Sequence, residues 1–134
     1  MIEQGLQQEI NMVMTEARNR RLEFVTVEHL LLALLNMSEV IAFLRGKRVN
    51  IDELRAELDQ YIDSHTPIIS EDAEIDIVPT VGFQRVLQRS VYQAQSAQKN
   101  SVNAMNVFVS IFSEKESHAV YMLKLNNISR LDVM

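Results

Sequence analysis

The chain has 134 residues, a formal net charge of −5 and no cysteine; 47% of its residues are apolar, with three Gly and two Pro. That length supports one domain with a real core, and the composition excludes a disordered chain, a disulfide framework and thiolate chemistry. The acidic balance, relieved only by the short cluster Arg18, Arg20 and Arg21, argues against a nucleic-acid binder, which needs clustered cations to displace counterions.

No apolar run approaches the ~20 residues of a membrane span. The start, MIEQGLQQE, lacks the basic segment and apolar stretch of a secretory signal. A cytoplasmic protein without membrane contact is expected.

The apolar periodicity predicts helices almost throughout. Over residues 3–20, Leu6, Ile10, Met14 and Ala17 fall on one helical face. The stretch FVTVEHLLLALLN (24–36) follows; Thr26 is placed to cap its helix and Glu28 lies in the first turn. Ser38 is placed to cap a short helix over 39–44, which Gly46 ends by taking the left-handed conformation. Asn50 caps a fourth, with Ile51, Leu54, Leu58, Tyr61 and Ile62 as its stripe. It stops by Thr66, because the residue before Pro67 resists helical dihedrals.

The segment PIISEDAEIDIVP (67–79) holds four acids and no base between two prolines and reads as a surface linker. Thr80 then caps a long helix whose core face is Phe83, Val86, Leu87, Val91 and Ala94. Asn103 caps another, residues 115–123 supply a short one, and Ser129 begins a last one cut off at Met134.

This order repeats. Shifted by 77 positions, Ile10 falls on Leu87, Met14 on Val91, Ala17 on Ala94, and Leu30 to Leu32 on Val107 to Val109. The apolar pattern matches without a gap from Leu6 to about Ala42. Repetition of a whole supersecondary unit predicts an all-α, eight-helix bundle of two pseudo-two-fold four-helix repeats. Residues 1–66 form the first repeat, 67–79 the acidic linker and 80–134 the second, truncated at its end. The two helices that are apolar all round, one per repeat, must be buried on every side.

Catalytic signatures are missing. His29, His65 and His118 form no HExxH or HxxxH spacing for a metal, and His29 reads as a capping or packing residue. There is no GxxxxGK[ST] phosphate loop and no GxSxG elbow. A non-catalytic binding domain remains. Its candidate residues are Glu23 and Glu28 around the second helix, Thr80 and Arg85 at the start of the fifth, and Arg130 at the start of the last. Each also has an ordinary structural role: Glu28 a dipole-matched acid, Thr80 an N-cap, Arg85 and Arg130 solvated cations.

The stretches FVTVEHLLLALL, PTVGFQRVLQR (79–89), IFSEKES (111–117) and ISRLDV (128–133) resemble the Clp repeat N-terminal domains of Hsp100-class AAA+ unfoldases. FQRVLQR after Pro-Thr, together with SRLDV, points to the ClpA type. The Gly-His pair and IGTEH motif of ClpC-like domains are absent; Arg20-Arg21-Leu22-Glu23 and NAMN stand there instead.

The resemblance implies an excised module ahead of ATPase modules, which alone would bind ATP; no cofactor is implied here. It implies a monomeric domain of a hexameric protein that docks the adaptor ClpS, touches some substrates directly, and passes proteins to ClpP. The adaptor face it implies falls on Glu23, Glu28, Thr80 and Arg130, with Arg85 as a neighbour; Glu28 and Arg130 are expected to be exposed. Where some members place metal-binding His, this chain has Leu22. The alternative function is that of a ClpB- or ClpC-like domain holding unfolded polypeptide in an apolar groove, for which Met12, Met14, Met37, Met105 and Met122 could supply an adaptable surface.

Overall fold

The computed structural model describes residues 1–71, 74 and 77–134; the acids Asp72 and Asp76 of the expected linker lie outside the described residues. The elements run α1 (Gln4–Asn19), β1 (Phe24–Val25), α2 (Val27–Leu34), α3 (Ser38–Gly46), α4 (Ile51–His65), β2 (Val78–Pro79), α5 (Val81–Ser96), α6 (Ala104–Ile111), α7 (His118–Leu125) and α8 (Arg130–Val133). The all-α, eight-helix architecture expected from the periodicity is the one observed.

The first two helices of each half correspond residue by residue. α1 maps on α5 and α2 on α6 at the 77-residue offset. Their caps map too: Thr26 and His29 close a capping box on α2, Asn103 and Asn106 the same box on α6. Thr80 N–H donates to the Val25 carbonyl at 3.0 Å, and Glu3 N–H donates to the Val102 carbonyl at 2.9 Å. The parallel pairing of β1 with β2 (Phe24 with Val78, Val25 with Pro79) thus has its mirror in the Ile2–Val102 bridge.

The helix ends repeat as well. Arg21, Arg48, Gln98 and Asn127 follow α1, α3, α5 and α7 with φ of 58°, 61°, 59° and 61°. After α1, Arg21 N–H returns to Arg18 O and Leu22 N–H to Ala17 O, the Schellman pattern that satisfies terminal carbonyls. The expectation for Gly46 is corrected: it is the last residue of α3, and Arg48 takes the left-handed conformation. Ser38 is likewise the first helical residue; the cap position belongs to Met37, whose extended backbone (φ −93°, ψ 130°) enters the helix without a side-chain bond. In α5 the inward face is Phe83, Val86, Ser90 and Ala94, while Leu87 and Val91 are half-buried. Ser90 is tolerated inside because its hydroxyl donates to the Val86 carbonyl at 2.7 Å.

α2 and α6 form the centre. Val27, Leu30, Leu31, Ala33 and Leu34 of α2, and Val107, Phe108 and Ile111 of α6, share one cluster drawn from both halves. Each fully buried Leu or Phe contributes roughly 1.5–3 kcal/mol. α2 packs against α1, α4, α5, α6 and α7; α6 packs against α2, α3, α5 and α8. The third helices are therefore exchanged: α3 of the first half lies on α6, where Phe43 meets Phe108 edge-on at 5.9 Å, and α7 of the second half lies on α2. The expected linker is stitched to the first half at both ends, by Glu23 N–H to Pro67 O, Ile69 N–H to Arg21 O and Val78 N–H to Glu23 O. Among the described residues no single helix is long and apolar enough to cross a membrane.

Because one core serves both halves, Phe108→Ala is expected to lower stability by about 3–5 kcal/mol in a single urea transition. Hydrogen exchange should show α2 and α6 losing protection together; protection retained in α1–α4 alone would contradict the shared core.

Candidate partner-binding face

β1 and β2 carry the chain from Glu23 into α2 and from Pro79 into α5 side by side. Glu23 is exposed, its backbone fixed on both sides by the pairing with Pro67 and Val78. Thr80 caps α5: its backbone is extended (φ −67°, ψ 162°) and its hydroxyl oxygen accepts from Phe83 N–H at 3.2 Å. The starts of α2 and α5 touch at Gly82, where an added Cβ would lie 3.0 Å from Val27 Cγ2 and 3.2 Å from Glu114 Oε1.

Glu114 is the residue of this face that sequence reasoning missed. Its carboxylate is 9% exposed and is held by Arg85, through Nε at 3.1 Å and a second guanidinium nitrogen at 2.6 Å, with Arg89 at 3.6 Å. Hydrogen bonding from Arg85 holds the Glu114 carboxyl below the usual carboxylate range despite its partial burial, and raises the Arg85 guanidinium in turn. Arg85, expected as a solvated cation, is exposed but committed. No local pattern in SEKES announces the pairing, since the partner lies 29 residues away.

The expectation that Glu28 is exposed is corrected. Its side chain is buried (7% exposed), and Oε2 accepts from Ala119 N–H at 3.0 Å. The acid caps α7 across the molecule, 91 residues away. A carboxylate there satisfies an orphan donor and meets the positive end of the α7 dipole. Ser117 takes the adjacent donor, accepting from Val120 N–H at 3.2 Å.

Arg130 is exposed at the start of α8. Two residues on, Asp132 receives Lys47 Nζ at 3.3 Å, which ties α8 to the turn after α3. Among the described residues no hydrogen bond or ion pair joins Arg130 to the other four. Glu23, Thr80, Arg85 and Glu28 thus gather around the starts of α2, α5 and α7, and Arg130 stands apart from that network. Of the methionines considered as a surface, only Met12 is well exposed (63%); Met122 is buried, and Met14, Met37 and Met105 pack partly against the core.

Behind α2, His29 is 3% exposed. Its Nδ1 accepts from Thr26 N–H at 3.0 Å and lies 2.9 Å from the Thr26 hydroxyl, so the proton of the neutral ring sits on Nε2. Burial, assisted by the Arg20 charge, lowers its pKa to about 4. On the opposite side of the first repeat, Tyr61 stacks between His65 at 4.1 Å and His118 at 3.9 Å. This stack joins α4 to α7, and its third ring has no signature in sequence, because His118 comes from the other half.

Residues 1–126 match the family described as Clp repeat (R) N-terminal domain. The chain is 35% identical over 130 residues to a ClpA homolog protein of Fuscovulum blasticum; the match covers 96% of this chain and 16% of that relative, so the chain spans about a sixth of its length. Similar solved structures include the Hsp104 N-terminal domain of Candida albicans (TM-score 0.81, 12% identity, 98% of this chain and 85% of that one). The ClpV N-domain of Vibrio cholerae gives a TM-score of 0.77 at 14% identity over 98% and 80% of the two chains. The ClpD N-terminal domain of Arabidopsis thaliana gives 0.70 at 17% over 98% and 88%.

Two outcomes follow from this geometry. Glu28→Ala orphans a buried donor and is expected to cost about 1–3 kcal/mol in urea denaturation, with Glu28→Gln, which keeps an acceptor oxygen, costing less. His29 is neutral when folded and protonates near pH 6.5 when unfolded. Its contribution is therefore complete above pH 6.5 and is lost as pH falls toward about 4, by roughly 3 kcal/mol in all. His29→Gln should remove that part of the pH slope when stability is measured from pH 8 to pH 4.

Proposed function

Because the chain belongs to the family of Clp repeat (R) N-terminal domains, we propose that it is the adaptor- and substrate-docking module of a ClpA-type ATP-dependent unfoldase. It takes the adaptor ClpS and presents proteins for unfolding and for degradation by ClpP, and does no chemistry itself. The observation that supports this most is the face formed by Glu23, Thr80 and the Arg85–Glu114 pair at the adjoining starts of α2 and α5. It offers an acid, a hydroxyl and a guanidinium held by backbone pairing and a short ion pair, suited to charge-assisted hydrogen bonds with a folded partner. Preorganised rim charges of this sort set orientation and association rate.

Glu28 acts in this reading from behind, fixing α7 against α2. Arg130 would contribute only to a partner broad enough to reach α8. The alternative of an unfolded chain in a methionine-lined groove has little surface to use, since four of the five methionines are wholly or partly inside.

Calorimetric titration with ClpS tests the reading. We expect a one-to-one complex that weakens as ionic strength rises. Glu23→Ala and Arg130→Ala should each weaken it by up to about fivefold, the 0.2–1 kcal/mol typical of an exposed ion pair, with thermal unfolding unchanged. No complex at any salt, or affinity indifferent to Glu23, Thr80, Arg85 and Arg130, would overturn the proposal.

A further inference from the structure

α4 packs on α2 and α3, and α7 packs on α2. Between α4 and α7 a groove of about 340 Å³ remains, a volume of the size that holds ligand groups. The rings of the His65–Tyr61–His118 stack line it. The buried Met122 lines it as well, beside Tyr121 and Leu125.

Tyr121 and Leu125 are one turn apart on α7, hence neighbours on one face, and are 54% and 62% exposed. The other half shows that the fold does not need them. Arg48 and Asn127 hold equivalent left-handed places after α3 and α7, and the buried Val49 and Ile128 follow them. In that register Ala42 and Gly46 of α3, both exposed, stand where Tyr121 and Leu125 do. A methyl group and a hydrogen suffice there. Two large apolar side chains held at a groove in water mark a contact surface rather than core.

The charge of the groove has one sign. Neither arginine nor lysine lines it, and Glu57 does. Glu53 lies one turn before Glu57 on the same face of α4. Elsewhere on α4, Asp52 pairs with Arg55 at 3.4 Å and Asp63 with Arg20; among the described residues the carboxylates of Glu53 and Glu57 have no such partner. The charge of Glu28 also reaches this place: the Tyr61 phenol is pushed up by burial and then by Glu28.

We infer that the α4–α7 groove is a second docking surface, for an extended polypeptide segment that carries a basic residue beside a bulky apolar one. The apolar side chain seats against Tyr121 and Leu125 over Met122, and the cation meets Glu57. The stacked rings hold the wall rigid, so little ordering is needed on binding. The inference rests on reading the chain as a substrate-docking module, and is independent of the adaptor face at α2 and α5.

The test uses the peptide acetyl-Gly-Arg-Leu-Phe-Gly-amide, followed by ¹H–¹⁵N correlation at pH 7.5. Signals of residues 57–65 and 118–125 should shift saturably, with a dissociation constant on the order of 0.1–1 mM. Replacing the peptide's Arg by Glu, or its Leu-Phe by Ser-Ser, should weaken binding at least about fivefold. Tyr121→Ala should weaken it at least about fivefold and Glu57→Gln by up to about fivefold, with circular dichroism unchanged. Glu23→Ala and Arg85→Ala, which test the adaptor face, should leave the peptide's affinity as it is; a failed ClpS titration would therefore remove the adaptor and not this surface. Shifts confined to the starts of α2 and α5, equal affinity for the Glu peptide, or no saturable shift would overturn the inference. So would shifts at α4 and α7 that grow with protein concentration alone, which would identify a second copy as the occupant.

Discussion

Everything in this fold depends on two helices that have no polar side to show. α2 and α6 carry apolar residues around nearly their whole circumference, and a helix of that kind is stable in water only when enclosed. Each half can supply a first helix along one flank and part of a fourth along another. The remaining flank of α2 is closed by α7, and that of α6 by α3. The exchange of third helices is thus the solution to a burial problem that neither half solves alone. The cross-half bond from Ala119 N–H to Glu28 is its polar counterpart, spent on holding α7 where α2 needs it.

Much of this was legible in the chain itself. The stripe Leu6, Ile10 and Ala17 fixed the face of α1, and Asn50, Thr80 and Asn103 marked helix starts because each offers an oxygen to an N–H three residues on. The 77-residue repeat survived with few identities because burial constrains size and polarity more than identity. Helix ends were harder. Glycine is the usual sign of a left-handed terminus, yet arginine, glutamine and asparagine occupy all four such positions.

The candidate site was legible in part, for a related reason. Thr80 and Glu23 announce themselves locally, one as a cap and one as an acid before a helix. Glu28 carries the same local signal as an exposed first-turn acid. What buries it is α7, which the sequence brings back only after ninety residues. The Arg85–Glu114 pair, 29 residues apart within the second half, and the His65–Tyr61–His118 stack, which forms only once α7 meets α4, are of this kind too: each joins residues that no local pattern brings together. Local pattern reveals what a residue can do for its own helix, and is silent about what it does for another.

The exchange of third helices also orders events during synthesis. α1 through α4 emerge first and can form local turns, but α2 then presents Leu30, Leu31 and Leu34 with one flank uncovered. Contacts that span most of the chain pay their loop-closure entropy before they return any burial. The first repeat therefore leaves the ribosome as an unfinished apolar surface, exposed to aggregation or to chaperones. It is sealed only when α7 arrives to be capped by Glu28, 91 residues upstream of Ala119.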